Sequence, residues 1–306
     1  MRVLVTGGAG FIGSHIVEHF QGGAEVRVLD NLRSGRAENL EGFRCEFISG
    51  SIEDRATVGK AIEGVDYVFH LAAMVSVPES MHKPIECNEI NVAGTLVVLE
   101  EAARAGVKKL ILSSSAAVYG DNPAVPKREE MVPEPKSPYG ITKLDGEHYC
   151  AMFTREGRLP TASLRYFNVF GPRQDPKSQY AAVVPTFIKR AVRNEPITIF
   201  GDGGQTRDFI QVKDIVAANV FFALESRETG VFNVGYGKGT SVKELATTIC
   251  RLAGSKSKIE YAPPRIGDVQ HSVAAINRLR QAGFSGKGDL VEGLRATVDH
   301  FKGWKG

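Results

Sequence analysis

The feature that most constrains this chain is a run of glycines between a short apolar segment and a helical pattern. Val3–Val5 favours a buried strand, and Gly7, Gly10 and Gly13 follow it at three-residue intervals. Glycines here let the chain turn sharply, let the backbone approach a pyrophosphate and let helix and strand pack closely. The N-terminus of the following helix then offers N–H groups to phosphate. A glycine turn also serves packing alone, so the turn by itself leaves both interpretations open.

Short apolar runs alternate with helical patterns through the first half of the chain. The predicted strands are rich in Val, Ile and Leu: Val3–Val5, Val26–Leu29, Glu46–Ile48, Tyr67–Phe69, Leu110–Leu112 and Ser163–Phe167. The predicted helices are Ser14–Phe20, Asp54–Ile62, a long one near Glu86–Ala105, and Ser137–Gly157, where Ser137 is the cap and Pro138 suits the first turn. This alternation predicts an α/β fold with a parallel sheet between two layers of helices.

The pattern changes after about residue 170, where Pro and Gly become frequent and strands no longer alternate with helices. We therefore predict two domains, residues 1–168 and residues 169–306, the second smaller and mixed in structure. Val231–Val234 is apolar and is predicted to return to the main sheet.

Composition excludes several classes of partner. The net charge is +3, from 38 Lys and Arg against 35 Asp and Glu, and the two signs are interspersed, so we expect no nucleic-acid partner. No apolar stretch approaches the roughly 20 residues that span a bilayer, so we expect no membrane partner. The four cysteines form no CxxC pair, which argues against a zinc or other metal site and favours the cytoplasm.

Asp30 ends the second predicted strand at the distance from the glycine turn where a carboxylate accepts the ribose hydroxyls of NAD. The same carboxylate would repel the additional phosphate of NADP. We therefore expect NAD, while Arg33 nearby leaves NADP as an alternative. Asp30 also has a purely structural interpretation, as the cap of a turn.

Three serines and a Tyr-Lys pair are the candidate reactive groups. Ser113, Ser114 and Ser115 directly follow a predicted strand, and ligands of open parallel sheets bind beyond strand ends. Tyr139 and Lys143 are four residues apart on one helix face. Two cations, the Lys143 ammonium and a nicotinamide ring, are expected to lower the pKa of the phenol towards 7. The alternatives are a turn-capping role for the serines and a surface pair on the helix.

A resemblance to a known family rests on seven segments. They are TGGAGFIGSH, DNLRSG, HLAA, SSSAAVYG, YGITK, RYFNVFGPRQ and GDGGQTRDF. In these segments the chain resembles the extended short-chain dehydrogenase/reductase family, and within it the UDP-glucose (UDP-galactose) 4-epimerases, including relatives that act on N-acetylated sugars. The resemblance implies a Rossmann-type doubly wound sheet that holds NAD, a smaller mixed C-terminal domain that binds a UDP-sugar, and a homodimer formed through a four-helix bundle.

The resemblance also implies roles for individual residues, with Ser115, Tyr139 and Lys143 as the catalytic serine, the base and its activator. The cofactor-binding set is Gly7, Gly10, Phe11, Ile12, Asp30, Asn31, Ser34, Gly35, Ser51, Ile52, Leu71, Ala72, Ala73, Ser113, Tyr139, Lys143, Tyr166 and Val169. The substrate-binding set is Ser76, Ser115, Asn168, Val183, Arg207, Arg265, Asp268 and Ser272. Ser51 stands where the family usually carries an Asp that helps to hold the adenine.

The residues after Ser115 bear on the branch of the family. Dehydratases and decarboxylases of the family carry acids there, whereas this chain has Ala116 and Ala117, which cannot move protons. Ser272 is small at the position beside the sugar's 2-substituent, which implies room for N-acetyl groups. Two alternatives remain open: another NAD-dependent nucleotide-sugar epimerase or dehydratase, and a non-catalytic NAD-binding sensor.

Overall fold

Seven parallel strands form the central sheet of the computed structural model, which describes residues 1–175, 182–264, 269–286 and 288–303. The strands are β1 (Arg2–Thr6), β2 (Glu25–Asp30), β3 (Glu46–Ser49), β4 (Tyr67–His70), β5 (Lys109–Ser115), β6 (Thr161–Tyr166) and β11 (Gly230–Val234). Their order across the sheet is β11-β6-β5-β4-β1-β2-β3. The chain therefore reverses its direction of travel between β1 and β4, where open α/β sheets bind ligands.

Helices cover both faces of this sheet, as a doubly wound fold requires. Numbered along the described chain, they are α1 (Phe11–His19), α2 (Arg55–Ile62), α3 (Val77–His82), α4 (Pro84–Asn88), α5 (Gly94–Arg104), α6 (Pro138–Arg155), α7 (Val183–Val192), α8 (Val212–Val220), α9 (Val242–Ala253), α10 (Asn277–Gln281) and α11 (Leu290–Gly303). Within the described ranges, none of them combines the length and apolar character needed to cross a membrane.

The two faces have separate apolar cores because successive side chains of a strand point in opposite directions. On β1, Val3 and Val5 pack in the core that includes α1, α8 and α10. Leu4 packs in the opposite core, which includes α2, α5 and α6. All three side chains are fully buried, as expected for a parallel strand covered on both faces.

The second half of the chain adds small sheets around a third core. Its strands are β7 (Asn168–Phe170), β8 (Ile197–Phe200), β9 (Thr206–Arg207), β10 (Phe209–Gln211), β12 (Thr240–Ser241), β13 (Ile259–Ala262) and β14 (His271–Ser272). Strand β9 pairs antiparallel with β12 and parallel with β14, which confirms the predicted mixed structure. Helices α7, α9 and α11 pack together in the third core.

The structure confirms the predicted strands, including the return of Val231–Val234 as β11, and corrects the helices in two places. Helix α1 begins at Phe11 rather than Ser14, because Gly10 already stands at its N-cap position. The long predicted helix is interrupted by a π-helical turn, Glu89–Ala93, between α4 and α5. The division at residue 168 stays a prediction, and α8 and α10 of the second half pack on the main sheet.

The close approach at the glycine turn is testable with Gly13→Ala. A β-carbon at Gly13 would lie 2.2 Å from the Gly7 carbonyl oxygen and 2.8 Å from Gly8 Cα, and backbone atoms cannot rotate away. We expect the free energy of unfolding, measured by urea denaturation, to fall by about 3 kcal/mol. The control is Gly23→Ala, because a β-carbon at Gly23 meets nothing within 4 Å. Equal stability of the two variants would contradict this account.

Candidate active site

The glycine turn forms a cradle at the C-terminal end of β1. Gly7 adopts a φ of 70°, and its N–H donates to the carbonyl of Leu29 at 2.8 Å. A β-carbon at Gly7 would lie 2.8 Å from the Ala72 nitrogen, so only glycine fits between the two loops. Phe11 and Ile12 form the first turn of α1, whose N-cap, Gly10, has no side chain to occupy the N–H groups. The cradle therefore suits a pyrophosphate, as the glycine pattern predicts.

Asp30 lies beside this cradle at the end of β2. Its carboxylate accepts from the N–H of Ala9 at 3.0 Å and from that of Leu32 at 2.8 Å, so it does stabilise a turn. Each carboxylate oxygen keeps a further acceptor site, which leaves capacity for ribose hydroxyls. Burial raises the pKa of Asp30, and the two backbone N–H groups oppose that rise. Gly35 packs directly against this carboxylate, since a β-carbon there would lie 2.9 Å from Asp30 Oδ2.

Arg33 is the residue that left NADP as an alternative cofactor, and its guanidinium is held by two carboxylates. Its guanidinium donates to Glu79 at 2.8 Å and to Glu86. A cation that already pairs with two acids is poorly placed to bind a further phosphate. The arrangement therefore favours the NAD interpretation of Asp30.

The other predicted cofactor residues fall around the same edge of the sheet. Leu71, Ala72 and Ala73 follow β4, and the Thr6 hydroxyl accepts from the first two of their N–H groups at 3.2 Å each. Ile52 is buried, and the Ser51 hydroxyl donates to Glu53 at 2.8 Å. Asn31 and Ser34 lie exposed beyond Asp30, while Tyr166 is the last residue of β6 and Val169 lies in β7.

Helix α6 brings Tyr139 and Lys143 to the serine strand. The Ser137 side chain caps the helix by accepting from the Gly140 N–H at 3.1 Å, as predicted, and Ser80 of α3 accepts from the Tyr139 N–H at 3.2 Å. Lys143 Nζ donates to the Ser113 carbonyl at 2.8 Å and lies 5.8 Å from the centre of the Tyr139 ring.

Ser115 completes this group of residues. Its side-chain oxygen accepts from the Ala117 N–H at 3.1 Å, so it does cap the short 3₁₀ turn Ala116–Tyr119. The Ser115 hydroxyl also lies close enough to Tyr139 to act to lower the pKa of the phenol. The hydroxyl thus has both a capping role and a place next to Tyr139.

The electrostatics of the pair differ from the sequence-based expectation. Burial raises the pKa of Tyr139 and outweighs the opposing effect of the nearby Ser115 hydroxyl. Burial also lowers the pKa of Lys143 to about 8, because an ammonium loses solvation in a dry site. The expected lowering of the phenol's pKa depended on two cations: among the described residues Lys143 supplies one, and the nicotinamide ring would supply the other.

Three predicted substrate residues meet on the second half of the chain. Arg207 of β9 and Ser272 of β14 are paired in register, and the Asn168 side chain donates to the carbonyl of the next residue, Asp208, at 3.2 Å. Ser76 is the N-cap of α3, and Val183 is the first residue of α7. Arg265 and Asp268 lie outside the described residues.

Several polar residues of the site have no signal in the sequence. Asn91, in the π-helical turn, exchanges hydrogen bonds with the backbone of Met74 at 2.7 and 3.0 Å and donates to Thr142, beside Lys143. His70, the last residue of β4, has both ring nitrogens hydrogen-bonded, to Thr6 and to Thr95, which is the arrangement of a structural histidine. The described residues contain no group of His, Cys, Asp or Glu side chains arranged to hold a metal.

Three solved structures similar to this chain are named as UDP-sugar 4-epimerases. A UDP-N-acetylglucosamine 4-epimerase from Methanobrevibacter ruminantium, in complex with UDP-N-acetylmuramic acid, is 42% identical with a TM-score of 0.94, over 98% of this chain and 97% of that chain. The Thermotoga maritima UDP-glucose 4-epimerase with UDP-glucose is 43% identical with a TM-score of 0.93, over 99% of each chain. The Thermus thermophilus UDP-glucose 4-epimerase complex with NAD is 40% identical with a TM-score of 0.90, also over 99% of each.

The family assignment rests on a match that spans most of the chain. Residues 3–235 match the model of the NAD dependent epimerase/dehydratase family, a range that includes nearly all of the central sheet together with Ser115, Tyr139, Lys143 and the predicted cofactor-binding residues. The structural matches extend this likeness to the second half of the chain. The chain therefore belongs to the NAD-dependent epimerase/dehydratase family.

Proposed function

We propose that this protein is a UDP-hexose 4-epimerase that interconverts UDP-glucose and UDP-galactose through a transient 4-keto sugar. The observation that carries this proposal is the meeting of Ser115, Tyr139 and Lys143 at the sheet edge, beside the glycine cradle. A phenol, a hydroxyl close to it and a nearby ammonium supply a proton acceptor, its relay and a stabilising charge. The similar solved structures, named as 4-epimerases, support the same activity.

Tyr139 and Ser115 move the proton of the sugar's 4-hydroxyl. Because the Ser115 oxygen already accepts from the Ala117 N–H, its own proton is available for a substrate oxygen or for Tyr139. Burial keeps Tyr139 protonated in the unloaded protein, and each cation added to the site favours the phenolate. The base is therefore active only in the loaded site.

The cofactor is NAD, which fits the cradle at Gly7 and Gly13 and the carboxylate of Asp30. When bound, NAD would supply the hydride acceptor and donor for C4, so that oxidation and reduction on opposite faces of the sugar would leave no net redox change. The chain's part is to hold the pyrophosphate on the first turn of α1 and the ribose hydroxyls on Asp30. Lys143 is assigned to the nicotinamide ribose.

Inversion requires that the sugar turn over without leaving the protein. Arg207 is the described residue assigned to the diphosphate, since a guanidinium stays charged and donates to phosphate in a planar fork. Its side chain donates to the Thr206 carbonyl at 2.9 Å, which fixes the base of that fork. Asn168 and Ser272 are assigned to the sugar. A firmly held diphosphate and a loosely held ring together allow rotation.

The residues that follow Ser115 favour epimerisation over dehydration. Ala116 and Ala117 begin the 3₁₀ turn where dehydratases and decarboxylases need an acid, and methyl groups cannot move protons. Ser272, opposite Arg207 in the sheet, is small enough to leave space for an N-acetyl group. We therefore include the N-acetylated UDP-hexoses among the substrates.

The homodimer is proposed to form through α5 and α6, which together with the partner's helices make a four-helix bundle. Leu96 and Val97 on α5 and Tyr149 and Met152 on α6 support this, since all four apolar side chains are only half-buried in one chain. Covering such surface is the usual driving force of a permanent interface.

We also propose that the protein works in the cytoplasm. All four cysteines, Cys45, Cys87, Cys150 and Cys250, carry free thiols. Thiols persist unpaired in reducing compartments, which supports this location.

The epimerase proposal predicts conversion of UDP-glucose to UDP-galactose by the purified protein without added NAD. Tyr139→Phe removes the proton acceptor and is expected to lower kcat by about 100-fold or more. The control is Tyr261→Phe, because Tyr261 is exposed on β13 and its loss should leave kcat unchanged. Release of water or carbon dioxide from the sugar would instead support a dehydratase or decarboxylase, and a Tyr139→Phe variant with wild-type kcat would refute the role of that residue.

The cofactor assignment predicts that Asp30→Asn weakens NAD binding about 10-fold, because a hydrogen bond to a charged acceptor contributes about 1.5–3 kcal/mol. The same change should reduce the protein's preference for NAD over NADP. Equilibrium dialysis with each nucleotide measures both effects. Asp66→Asn is the matched control, since Asp66 also accepts a backbone N–H, from Arg2 at 2.8 Å, at the opposite end of β1. An unchanged NAD affinity in Asp30→Asn would show that this carboxylate does not bind the ribose.

The dimer proposal predicts that Val97→Glu yields a monomer in analytical ultracentrifugation while the wild type sediments as a dimer. A buried carboxylate without a partner is costly, so the substituted interface should not form. Tyr261→Glu, which places the same charge on exposed surface of β13, should remain dimeric. A monomeric wild type at every protein concentration tested would contradict the interface.

A further inference from the structure

A chain of buried side-chain hydrogen bonds lies beneath the serine strand and takes no part in the chemistry proposed above. Glu147 of α6 accepts from the Ser114 hydroxyl, and from Arg165 at 2.9 and 2.7 Å. Arg165 also donates to the Tyr119 hydroxyl at 2.8 Å, which in turn donates to Asn233 Oδ1 at 2.7 Å. These five side chains, called the buried network below, are each no more than 3% exposed.

Stability alone gives no sufficient reason for the buried network. Taking an Arg–Glu pair out of water costs several kcal/mol per ion, and apolar residues of similar volume often serve as well. What a paired, bidentate arrangement does supply is a fixed geometry between the elements that carry it. The elements joined here are α6, β5, β6, β11 and the 3₁₀ turn after Ser115.

The two ends of the buried network lie on either side of Ser115 along the chain. Ser114 directly precedes Ser115, and Tyr119 is the last residue of the 3₁₀ turn that Ser115 caps. Both are tied to Glu147, the first directly and the second through Arg165. The backbone around Ser115 is thus attached to one point on α6 from both directions.

That point on α6 lies on the face that carries the reactive groups. Glu147 follows Lys143 by four residues and Tyr139 by eight, so the three side chains project from one side of the helix. A shift of Glu147 relative to β5 would therefore change the distance between Ser115 and Tyr139.

We propose that Ser114, Tyr119, Glu147 and Arg165 are positioning residues that hold Ser115 in hydrogen-bonding reach of Tyr139. This rests on the proposed function, which makes Ser115 and Tyr139 the groups that share the substrate's proton. Proton transfer needs heavy atoms at hydrogen-bond distance, and a misplacement of about 1 Å costs up to about 100-fold in rate.

The test uses the full-length protein with its cofactor and two small changes, Ser114→Ala and Tyr119→Phe, each of which cuts one of the two attachments. We expect kcat for UDP-glucose to fall about 10-fold in each, with KM unchanged, since neither residue is assigned to the substrate. Tyr236→Phe is the control, because Tyr236 donates to Asp214 at 2.6 Å outside the buried network. It should lose thermal stability and keep its kcat.

A second readout is the ionisation of Tyr139, followed by NMR of protein labelled with 13C at the tyrosine Cζ. The Tyr139 signal is identified by its loss in Tyr139→Phe, among the eight tyrosines of the chain. If Ser115 moves away from Tyr139, its lowering effect on the phenol is lost, so the pKa of Tyr139 should rise by about 0.5–1 unit in both variants and stay unchanged in Tyr236→Phe.

The outcomes separate this inference from the proposed function. If both variants keep the wild-type kcat and Tyr139 pKa while their melting temperatures fall, the buried network is structural only and the inference is wrong. If the wild type fails to epimerise but the pKa of Tyr139 rises in the variants, the inference holds and the proposed function fails. Ser114→Ala removes a single buried hydroxyl. Should Tyr119→Phe not fold, the same two measurements on Ser114→Ala decide the question.

Discussion

Register between neighbouring parallel strands decides which side chains can meet in this protein. Thr6 of β1 is paired with Leu29 of β2 and with His70 of β4, and His70 is paired with Leu112 of β5. The next residues along the four strands are Gly7, Asp30, Leu71 and Ser113, which therefore emerge at one edge of the sheet. The cradle, the carboxylate and the serine strand are neighbours for this reason, although they are far apart in the chain.

The same register explains how much the sequence could predict. Strands with continuous Val, Ile and Leu, a glycine turn and a capped helix at Ser137 are local patterns, and the structure confirms them. Parallel pairing then places strand ends together without further information. The start of α1 and the π-helical turn at Glu89–Ala93 were not predictable in this way, because both depend on how neighbouring elements pack.

Burial is the physical quantity that the sequence could not supply. Glu147 and Arg165 look like surface residues in the sequence, and only the fold places them in contact beneath β5. The pKa of Tyr139 was expected to fall because the nearby cation was visible in the sequence and the loss of solvent was not. Lys143 is affected in the same way, since the burial that raises the phenol's pKa lowers that of the ammonium.

The return of β11 to the central sheet has a consequence for how this fold can be divided. Phe232 and Val234 fill the core beneath α8, and β11 covers the edge of β6 from Ala162 to Tyr166. A fragment that ended at residue 168 would leave that edge unpaired and would expose apolar surface, which promotes aggregation. Residues 1–168 are therefore not expected to fold as a separate unit. Recombination between homologous genes should accordingly keep the two halves together rather than exchange one of them.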